Sequence, residues 1–560
     1  KALARPHGRR QPPPIPSKHR TFNPMPRKTL PLLLTFLWAQ DADLFIGSEI
    51  YTFFERWDVR GWVDTFVPIE TRPWGREEAY SLLIHTDTHA LPRLDKARYE
   101  RAFFLLSDSL PPRPWRDKPS WFLPEGRDLF VARTQWGSLY IGALLHLSVG
   151  RDSTGFLYQN TRGAYLRARI GKKVGLYADV LETQARLPFF ISERYRSNLT
   201  LWGETFVKPF RNNGFDYTNA RGYITYTPHP ALRIKFGRDK GFWGIGFQSS
   251  FLSDYAPEYL YLHLRGRLSS WEYHSFFAQL IDFIPNKPDA WGDQPRKYLA
   301  LHQLIWRPAR GLSIGAFEGV MYNPWTPRGP RGVEINYFIP LIFYRTVEQA
   351  IGSPDNAMLG LFARANLLKR LQLYGQLAID DYNFGKRREG KGWWGNKYSW
   401  QLGIKAFDIG LKTLDLLAEI NQVQPYTYSH SIVAAAWTHH GQFLAHPYGA
   451  NLREVTLLLR YQPLPGLTIE GRLSNIWQGH NTPTQNWGSS PFISDVTHVR
   501  DFGNQLLQGS LYYVRLFHSR VTYQLRRLPL YIEAEAFERG GVKGLLLSSR
   551  WMLVPKVLRF

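Results

Sequence analysis

Three stretches of the sequence place aromatic rings beside polar side chains in the way that carbohydrate sites do. A sugar ring has a face of C–H groups and a rim of hydroxyls, so its sites pair aromatic platforms with hydrogen-bonding groups. The stretches are Asp239, Lys240, Phe242, Trp243, Asp254 and Tyr255; Trp393, Trp394, Asn396 and Lys397; and Trp477, Gln478, Gly479, His480 and Asn481. We predict that Asp239, Lys240, Trp243, Tyr255, Trp393, Trp394, Asn396, Trp477 and His480 bind glycan.

The second stretch has the strongest charge. Trp393 and Trp394 lie in a glycine-rich loop, residues 385–396, whose cations are Lys386, Arg387, Arg388 and Lys391. So many glycines and cations do not suit a lipid environment, and the loop is predicted to be extracellular and able to meet an anionic polymer. For each Trp the alternative is a residue at a membrane interface.

Catalytic and metal chemistry is disfavoured. His439, His440, His446 and Glu454 lie close in sequence, but their spacing matches no zinc motif, and loop histidines that form hydrogen bonds are the preferred interpretation. The glycine-rich stretch 237–246 follows a strand without leading into a helix, so it builds no phosphate site. The absence of cysteine excludes disulfides and thiolate chemistry. We predict a non-enzymatic protein with no metal and no cofactor.

The elements that must position these residues are strands. After Trp136 apolar and polar residues alternate, as in 371–380, 453–461, 467–473, 521–526 and 530–536. Such a period of two, with charges on one face and aliphatic residues on the other, is typical of strands between lipid and a polar lumen. A soluble β-sandwich also alternates, but would rarely repeat Glu, Arg and Gln across so many aliphatic strands. The roughly 425 residues available accommodate roughly 16–18 strands, with turns such as Pro465–Gly466 and Asn213–Gly214.

The chain divides into four predicted parts. Residues 1–24 are predicted to be a non-native upstream leader, and 25–39 a signal peptide with Met25, Arg27 and Lys28 before a short apolar run. Within 40–110, residues 44–66 are predicted to be extended and 72–108 helical, forming a small plug. Residues 111–560 are the predicted barrel, and its terminal Phe560 suits recognition by the barrel insertion machinery.

The net charge of +24 does not indicate nucleic-acid binding. Residues 1–39 carry eight Lys or Arg and no acid, so the remainder carries +16. Those cations are scattered over the strand-like segments and form no single basic arm or helix. The charge therefore favours acidic glycans or lipid headgroups as partners.

Four longer motifs resemble the capsule-assembly Wzi-like outer-membrane family, in particular its Bacteroidetes branch with the gliding-motility-associated RemB proteins. They are 160–163 with 182–184; 237–246 with 252–257; 337–340, 343–345, Glu348, 352–356 and 374–376; and 419–421, 425–430 and 446–451. The resemblance implies an eighteen-stranded outer-membrane barrel closed by helices at its periplasmic end. It also implies a lectin-like role in holding capsular or other surface polysaccharide.

These observations predict a mainly β protein, a transmembrane antiparallel β-barrel of about 18 strands with a small N-terminal helical plug, in the outer membrane of a Gram-negative bacterium. A polar network in the lumen or at its rim is predicted from Tyr344, Arg345, Glu348, Asp355 and Asn356. The predicted partners are surface polysaccharide and outer-membrane lipids. The alternatives are an accessory component of gliding motility or protein secretion machinery, and a porin-like channel.

Overall fold

The computed structural model describes residues 42–107, 127–198, 200–211, 213–282, 294–326, 329–340, 343–525 and 528–552. The predicted leader, the signal peptide, the boundary near residue 110 and Phe560 lie outside these residues and remain predictions. Within residues 39–560 one compact unit is formed.

Eighteen long strands form the wall of the molecule. In chain order β1 to β18 they are Gly137–Asp152, Gly155–Ile170, Val174–Arg186, Gly214–His229, Leu232–Asp239, Tyr259–Leu268, Trp271–Ile281, Arg296–Ala309, Leu312–Tyr322, Asn356–Leu367, Leu371–Asp381, Lys397–Ala406, Leu414–Val423, Leu452–Leu464, Leu467–His480, Ser510–Gln524, Leu530–Arg539 and Val542–Trp551.

These strands form a closed antiparallel barrel. Each pairs with its sequence neighbours, and β18 pairs with β1 from Gly544↔Asp152 to Trp551↔Leu145. Two short strands, Phe130–Thr134 and Lys208–Phe210, add to β1 and β4. Three pairs of two-residue strands in the described ranges are not part of the wall. They are Thr71–Arg72 with Phe242–Trp243, Trp325–Thr326 with Gly329–Pro330, and Thr438–His439 with Gln442–Phe443. The predicted barrel of about 18 strands is confirmed.

The two ends of the barrel differ in their connections. One end has tight turns, at 171–173, 230–231, 269–270, 310–311, 465–466 and others, and we call it the short-turn end. The other, the long-loop end, carries 187–213, 240–258, 323–355, 382–396, 424–451 and 481–509. The predicted turn at Pro465–Gly466 is present. Gly466 has φ +84°, and a Cβ there would lie 2.6 Å from Gln524 O, so glycine fits this turn best.

The alternation of the strands separates an apolar outside from a polar inside. On β11 Gln372, Tyr374 and Gln376 are buried, whereas Leu373 between them is 42% exposed. Aliphatic side chains are exposed around the wall, as with Leu145, Leu147, Val149, Leu359, Leu361, Leu457, Leu459, Leu545 and Leu547. This belt is the lipid-facing surface expected of an outer-membrane barrel. None of the helices in the described ranges has the length and hydrophobicity to span a bilayer.

Within 42–107 the structure has three helices, which precede the barrel: α1 Glu49–Arg60, α2 Arg76–Ile84 and α3 Arg93–Leu106. Two helices in 72–108 were predicted, and they are confirmed. The extended prediction for 44–66 is wrong, because Ile50, Phe54 and Trp57 follow helical spacing and are all fully buried. The Ser48 side chain caps the start of α1, and Gly61 ends it in a left-handed conformation.

The helices α1 to α3 lie at the short-turn end. Arg56 of α1 forms ion pairs of 2.7 Å with Asp408 and Asp415, beside the turn between β12 and β13. Arg98 of α3 donates to Gln462 near the next turn, and Glu78 of α2 pairs with Arg265 on β6 at 2.7 Å. Three further helices belong to loops: α4 Phe189–Asn198, α5 Tyr344–Ile351 and α6 Phe384–Arg388. Short 3₁₀ turns are Ile335–Phe338, Val433–Ala435 and Asp495–Thr497.

Candidate functional site

A loop from the wall itself crosses the lumen. Residues 240–258, which we call the central loop, leave β5, cross the lumen and return at β6. Glu419 on β13 accepts hydrogen bonds from Phe247 N at 2.7 Å and Gln248 N at 3.0 Å. Gln376 on β11 accepts from Ser250 N at 3.0 Å. Because these acceptors are on strands far around the wall from β5, the central loop blocks the barrel at mid-height.

Glycines let the central loop come this close to the wall. A Cβ on Gly246 would lie 2.2 Å from Glu419 Oε2, and one on Gly244 would lie 2.8 Å from Gln376 Nε2. The glycine-rich stretch 237–246 thus has a packing role. It allows backbone N–H groups of the central loop to reach buried carboxylate and amide oxygens.

The first predicted glycan cluster lies in and beside the central loop, and its prediction as a glycan site is corrected. Trp243 is 1% exposed and packs edge-on against Phe276 and Phe317. Tyr255 is also buried, and its hydroxyl donates to Gln248 Oε1 at 2.7 Å. Neither ring has a free face for a sugar.

The polar members of that cluster have protein partners as well. Asp239 Oδ2 accepts from Lys235 Nζ at 2.6 Å, and Lys240 Nζ donates to Gly203 O at 3.2 Å. The cluster therefore fixes the central loop to its neighbours and offers no accessible glycan site in this structure.

A buried charge network lies below the central loop, at the short-turn end. Glu70, which is fully buried, pairs with Arg307 at 2.7 Å and with Arg364 at 2.8 Å. Arg364 also pairs with Asp58 at 2.8 Å. Burial raises the pKa of Glu70, but Arg307 and Arg364 outweigh that effect and lower the pKa to about 2. The N-terminal segment is thus fixed to the wall by paired charges.

The histidine cluster folds into the barrel with the loop 424–451. His446 Nε2 lies 2.7 Å from Glu454 Oε2, and His439 Nδ1 accepts from Ile281 N at 3.1 Å. Burial lowers the pKa of His440 to about 4, so it is neutral at physiological pH. Among the described residues no group of three His, Cys, Asp or Glu side chains could hold a metal ion. These are histidines that hydrogen-bond and pack.

The third predicted glycan cluster is divided by the strand geometry. Trp477 points to the outside of β15, where its ring lies 5.5 Å from that of Tyr513. Gln478 points inward and donates to Tyr448 O and Ala450 O, and His480 follows it on the inner rim at 3.1 Å from Gln478 Oε1. Because successive side chains alternate, Trp477 and His480 cannot line one site. Trp477 lies where a membrane-interface aromatic would lie.

The predicted lumen network is also corrected. Lys297 on β8 points inward to Ala436 O, and Phe317 on β9 contacts Phe251 of the central loop, so His302 and Glu318, which have the opposite parity, face outward. Tyr344 contacts His302, and Arg345 N donates to Glu318 Oε1.

The other predicted network members divide between the two sides. Glu348 pairs with Arg345, and Asp355 accepts from the Tyr337 hydroxyl, so both belong to the same outer segment. Only Asn356 of the five points inward, where it donates to Ala435 O at 3.1 Å.

The second predicted cluster is the one that the structure leaves accessible. Lys386, Arg387, Trp393, Trp394, Asn396 and Asn504 line a cavity of about 60 Å³ at the long-loop end, which we call the Trp393 groove. Trp393 and Trp394 are half-buried, with ring centroids 6.0 Å apart. The cavity is too small to enclose a sugar ring but can accept a substituent such as a carboxylate.

The groove is built from two loops. The backbone of 391–394 pairs with the loop between β15 and β16: Gly503 N donates to Lys391 O at 2.7 Å, and Trp394 N donates to Asp501 O at 3.0 Å. Asn396 closes the base of the first loop, because its Oδ1 accepts from Asn383 N at 2.8 Å. Asn396 is therefore placed to position the loop.

Aromatic packing fixes Trp394. Its ring stacks on His498 at 4.1 Å with an interplanar angle of 16° and meets the edge of Tyr426 at 6.0 Å. His498 and Tyr426 lie far from Trp394 in sequence, and the local pattern around residues 393–397 gave no sign of them. Trp393 lies against Gly395, where a Cβ would be 2.6 Å from its ring.

The rim of the groove is positively charged. Lys386 and Arg387 line it, and Arg388 and Lys391 lie in the same loop. Two acids lie close by: Glu389 is 3.1 Å from Lys386 and 3.9 Å from Lys391, and Asp501 of the facing loop pairs with His498 at 2.7 Å. The Lys391 side chain is 68% exposed. Half-buried indole rings beside exposed cations can bind an acidic sugar by stacking and by charge.

Comparison with known proteins supports the fold. No family model and no curated protein matches the chain. The structure is similar to Wzi of Escherichia coli, described as an outer membrane protein involved in group 1 capsule assembly and a carbohydrate-binding β-barrel. The TM-score is 0.57 at 11% identity, covering 92% of this chain and 100% of that one. OprD of Pseudomonas aeruginosa gives a TM-score of 0.40 at 11% identity, covering 75% and 98%.

At this identity the likeness to Wzi shows the fold alone. The similar fold agrees with the resemblance of the sequence motifs to the Wzi-like family. The Bacteroidetes branch with the RemB proteins is not tested by these comparisons and remains a prediction.

Proposed function

We propose that this chain is a non-enzymatic outer-membrane protein that binds an anionic surface polysaccharide at the Trp393 groove. The observation that carries the proposal is the rim of the groove, where the four cations of the loop 386–391 outnumber the nearby acids Glu389 and Asp501 and lie beside two half-buried indole rings. A polymer with uronic acids or acidic substituents offers the matching combination of C–H faces and negative charge.

The loops that cross the lumen support binding over transport. The central loop and the loop 424–451 are almost entirely buried inside the barrel, and the helices α1 to α3 lie at the short-turn end. A polymer can therefore meet this protein at its long-loop end. Wzi, whose fold is similar, is described as a carbohydrate-binding barrel, which agrees with such a role. Contacts with the insertion machinery, and with gliding or secretion proteins, remain predictions.

Mutation of the groove tests the proposal. Purified protein should bind the producing organism's own acidic capsule or exopolysaccharide, and Trp393→Ala should weaken binding about tenfold, or about 1.4 kcal/mol, because a stacking platform is lost. Trp325→Ala is the matched control, since Trp325 is 58% exposed and lies away from the groove. Equal binding by the wild type and Trp393→Ala would contradict the assignment of the groove, and retention of surface glycan in a deletion strain would contradict the function.

A further inference from the structure

Most of the described part of the loop between β9 and β10 lies on the outside of the barrel. Its described residues 329–340 and 343–355, the outer-wall segment, cover the outward faces of β7, β8 and β9. Tyr337 and Tyr344 are buried there against Ala300, Val320 and Tyr322. These three wall residues are even-numbered, as are the outward-facing His302 on β8 and Glu318 on β9. The contact is therefore with the side of the wall that elsewhere faces lipid.

The wall beneath this segment is unusually polar. Outward positions under it include His302 and Glu318, which are paired across β8 and β9, and Tyr273 on β7. Nearby outward positions on β6 and β10 hold Leu260 and Leu361 instead. A carboxyl and an imidazole facing hydrocarbon would lack hydrogen-bond partners, which is costly in a bilayer.

The outer-wall segment supplies those partners. The Tyr344 hydroxyl lies 2.5 Å from His302 Nε2, and Arg345 N donates to Glu318 Oε1 at 3.1 Å. The Tyr273 hydroxyl donates to Pro340 O. The polar side chains of the wall thus have hydrogen-bond partners in the segment, and these hydrogen bonds hold the segment against the wall.

The docking points lie at membrane depth. Trp271 and Trp306 stack at 5.6 Å on the outside of the wall, near the short-turn end, where an interfacial aromatic girdle is expected. His302 is four residues above Trp306 on β8, about 13 Å along the strand at about 3.3 Å per residue. With a strand tilt of about 40° this is about 10 Å above the girdle, well inside an apolar band about 25 Å tall.

The free surface of the segment is mainly apolar. Ile335 is 77% exposed and Phe343 is 75% exposed, and Phe338 and Ile339 are exposed beside them. Four charges of the segment are paired, Arg345 with Glu348 at 2.8 Å and Arg331 with Asp355, and Glu334 accepts hydrogen bonds from Asn336. Arg345, Thr346 and Gln349 form the exposed side of α5, and the long Arg345 side chain can extend towards headgroups.

We propose that the outer-wall segment is embedded in the bilayer: it replaces the wall as the lipid-facing surface over β7 to β9, and Ile335, Phe338, Ile339 and Phe343 contact acyl chains. The continuity of this apolar surface with Leu359 and Leu361 of the next strand identifies lipid as the occupant. The inference is independent of polysaccharide binding.

Depth measurements on single-cysteine variants test the proposal, because the chain has no cysteine of its own. Phe343→Cys and Ile335→Cys, labelled with an environment-sensitive fluorophore, are reconstituted as full-length protein in vesicles whose acyl chains are brominated. Leu361→Cys on the exposed wall is the lipid-facing control, and Lys391→Cys in the groove loop is the aqueous control. We expect quenching at residues 343 and 335 to match that at 361 and to exceed that at 391.

Two results would overturn the proposal. One is emission and quenching at residues 343 and 335 that match those at 391, which would put the segment in water. The other is efficient cross-linking from residue 343 to a second copy or to another protein in native membranes, which would make the surface a protein interface.

The docking contacts are tested separately. His302→Ala should expose the segment to proteolysis, whereas Leu304→Ala, two residues away and also outward, should not. Unchanged proteolysis in His302→Ala would contradict the docking, provided that the variant keeps its heat-modifiable barrel on gels.

Discussion

The short-turn end and the Trp393 groove are both rich in charge, but they use it differently. At the short-turn end Glu70, Arg307, Arg364 and Asp58 are buried and pair with one another at 2.7–2.8 Å. At the groove Lys386 and Lys391 lie near Glu389, and Arg387 and Arg388 in the same loop are exposed. Buried pairs fix one conformation, whereas exposed cations in excess remain available to a ligand. The first region is therefore structural, and the second is the binding candidate.

The largest effect should come from removing the centre of the structural network. Glu70→Ala would leave Arg307 and Arg364 buried without their carboxylate, and should lower the free energy of unfolding by about 3–5 kcal/mol. Urea unfolding in detergent or lipid measures this. Asp64→Ala is the control at the same end, because Asp64 and Arg310 form an exposed pair worth about 0–1 kcal/mol. Similar losses in the two variants would contradict a structural role for Glu70.

The central loop should keep the barrel closed to ions. Glu419→Ala removes the acceptors of Phe247 N and Gln248 N and the partner of the Tyr374 hydroxyl. Planar-bilayer recordings should show negligible steady conductance for the wild type and frequent openings for this variant. Gln422→Ala, on the outer side of the same strand, should behave like the wild type. Steady conductance of the wild type would favour the porin-like alternative.

Acid should loosen the short-turn end. The pKa of Glu70 is about 2 in the folded protein and 4.5 ordinarily, so the folded state favours the ionised form. Its contribution to stability is complete well above pH 4.5 and is lost as the pH falls from about 4.5 towards 2. Fluorescence of the buried Trp57 and Trp74 should report this loss, and Glu70→Gln should reduce its pH dependence. An identical pH profile in Glu70→Gln would contradict the assignment.

A smaller effect is expected from a single rim cation. Lys391→Ala should weaken binding of an acidic polysaccharide about threefold at low salt, or about 0.6 kcal/mol. The difference should vanish near 1 M salt, where the screening length falls to about 3 Å. Lys543→Ala is the matched control, since Lys543 is equally exposed on a hairpin at the same end. Equal effects of the two substitutions would indicate a diffuse charge effect without a defined groove.

The sequence predicted what depends on local pattern. Strand alternation, the helices in 72–108 and the turn at Pro465–Gly466 follow from residues close in the chain. The helix α1 was missed, although Ile50, Phe54 and Trp57 have helical spacing and Ser48 and Gly61 bound it. Attention to those caps would have identified it.

The site was predictable only in part, because a loop's local composition does not say where the loop folds. Trp243 and Trp393 have similar neighbours, yet one is buried inside the barrel and the other lines an accessible groove. The difference comes from distant residues, Glu419 and Gln376 for the central loop and Asp501 and His498 for the groove loop. For the same reason Tyr344 was predicted in the lumen or at its rim and lies on the outside of the wall.

The most direct test is the charge selectivity of binding by the wild-type protein. Binding isotherms would be recorded for an acidic surface polysaccharide and for the same polymer after its carboxylates have been reduced to alcohols. We expect the acidic form to bind and the reduced form to bind more weakly by about tenfold or more, a difference of about 1.4 kcal/mol or more. Equal affinity for the two forms, or no binding of the acidic one, would contradict it.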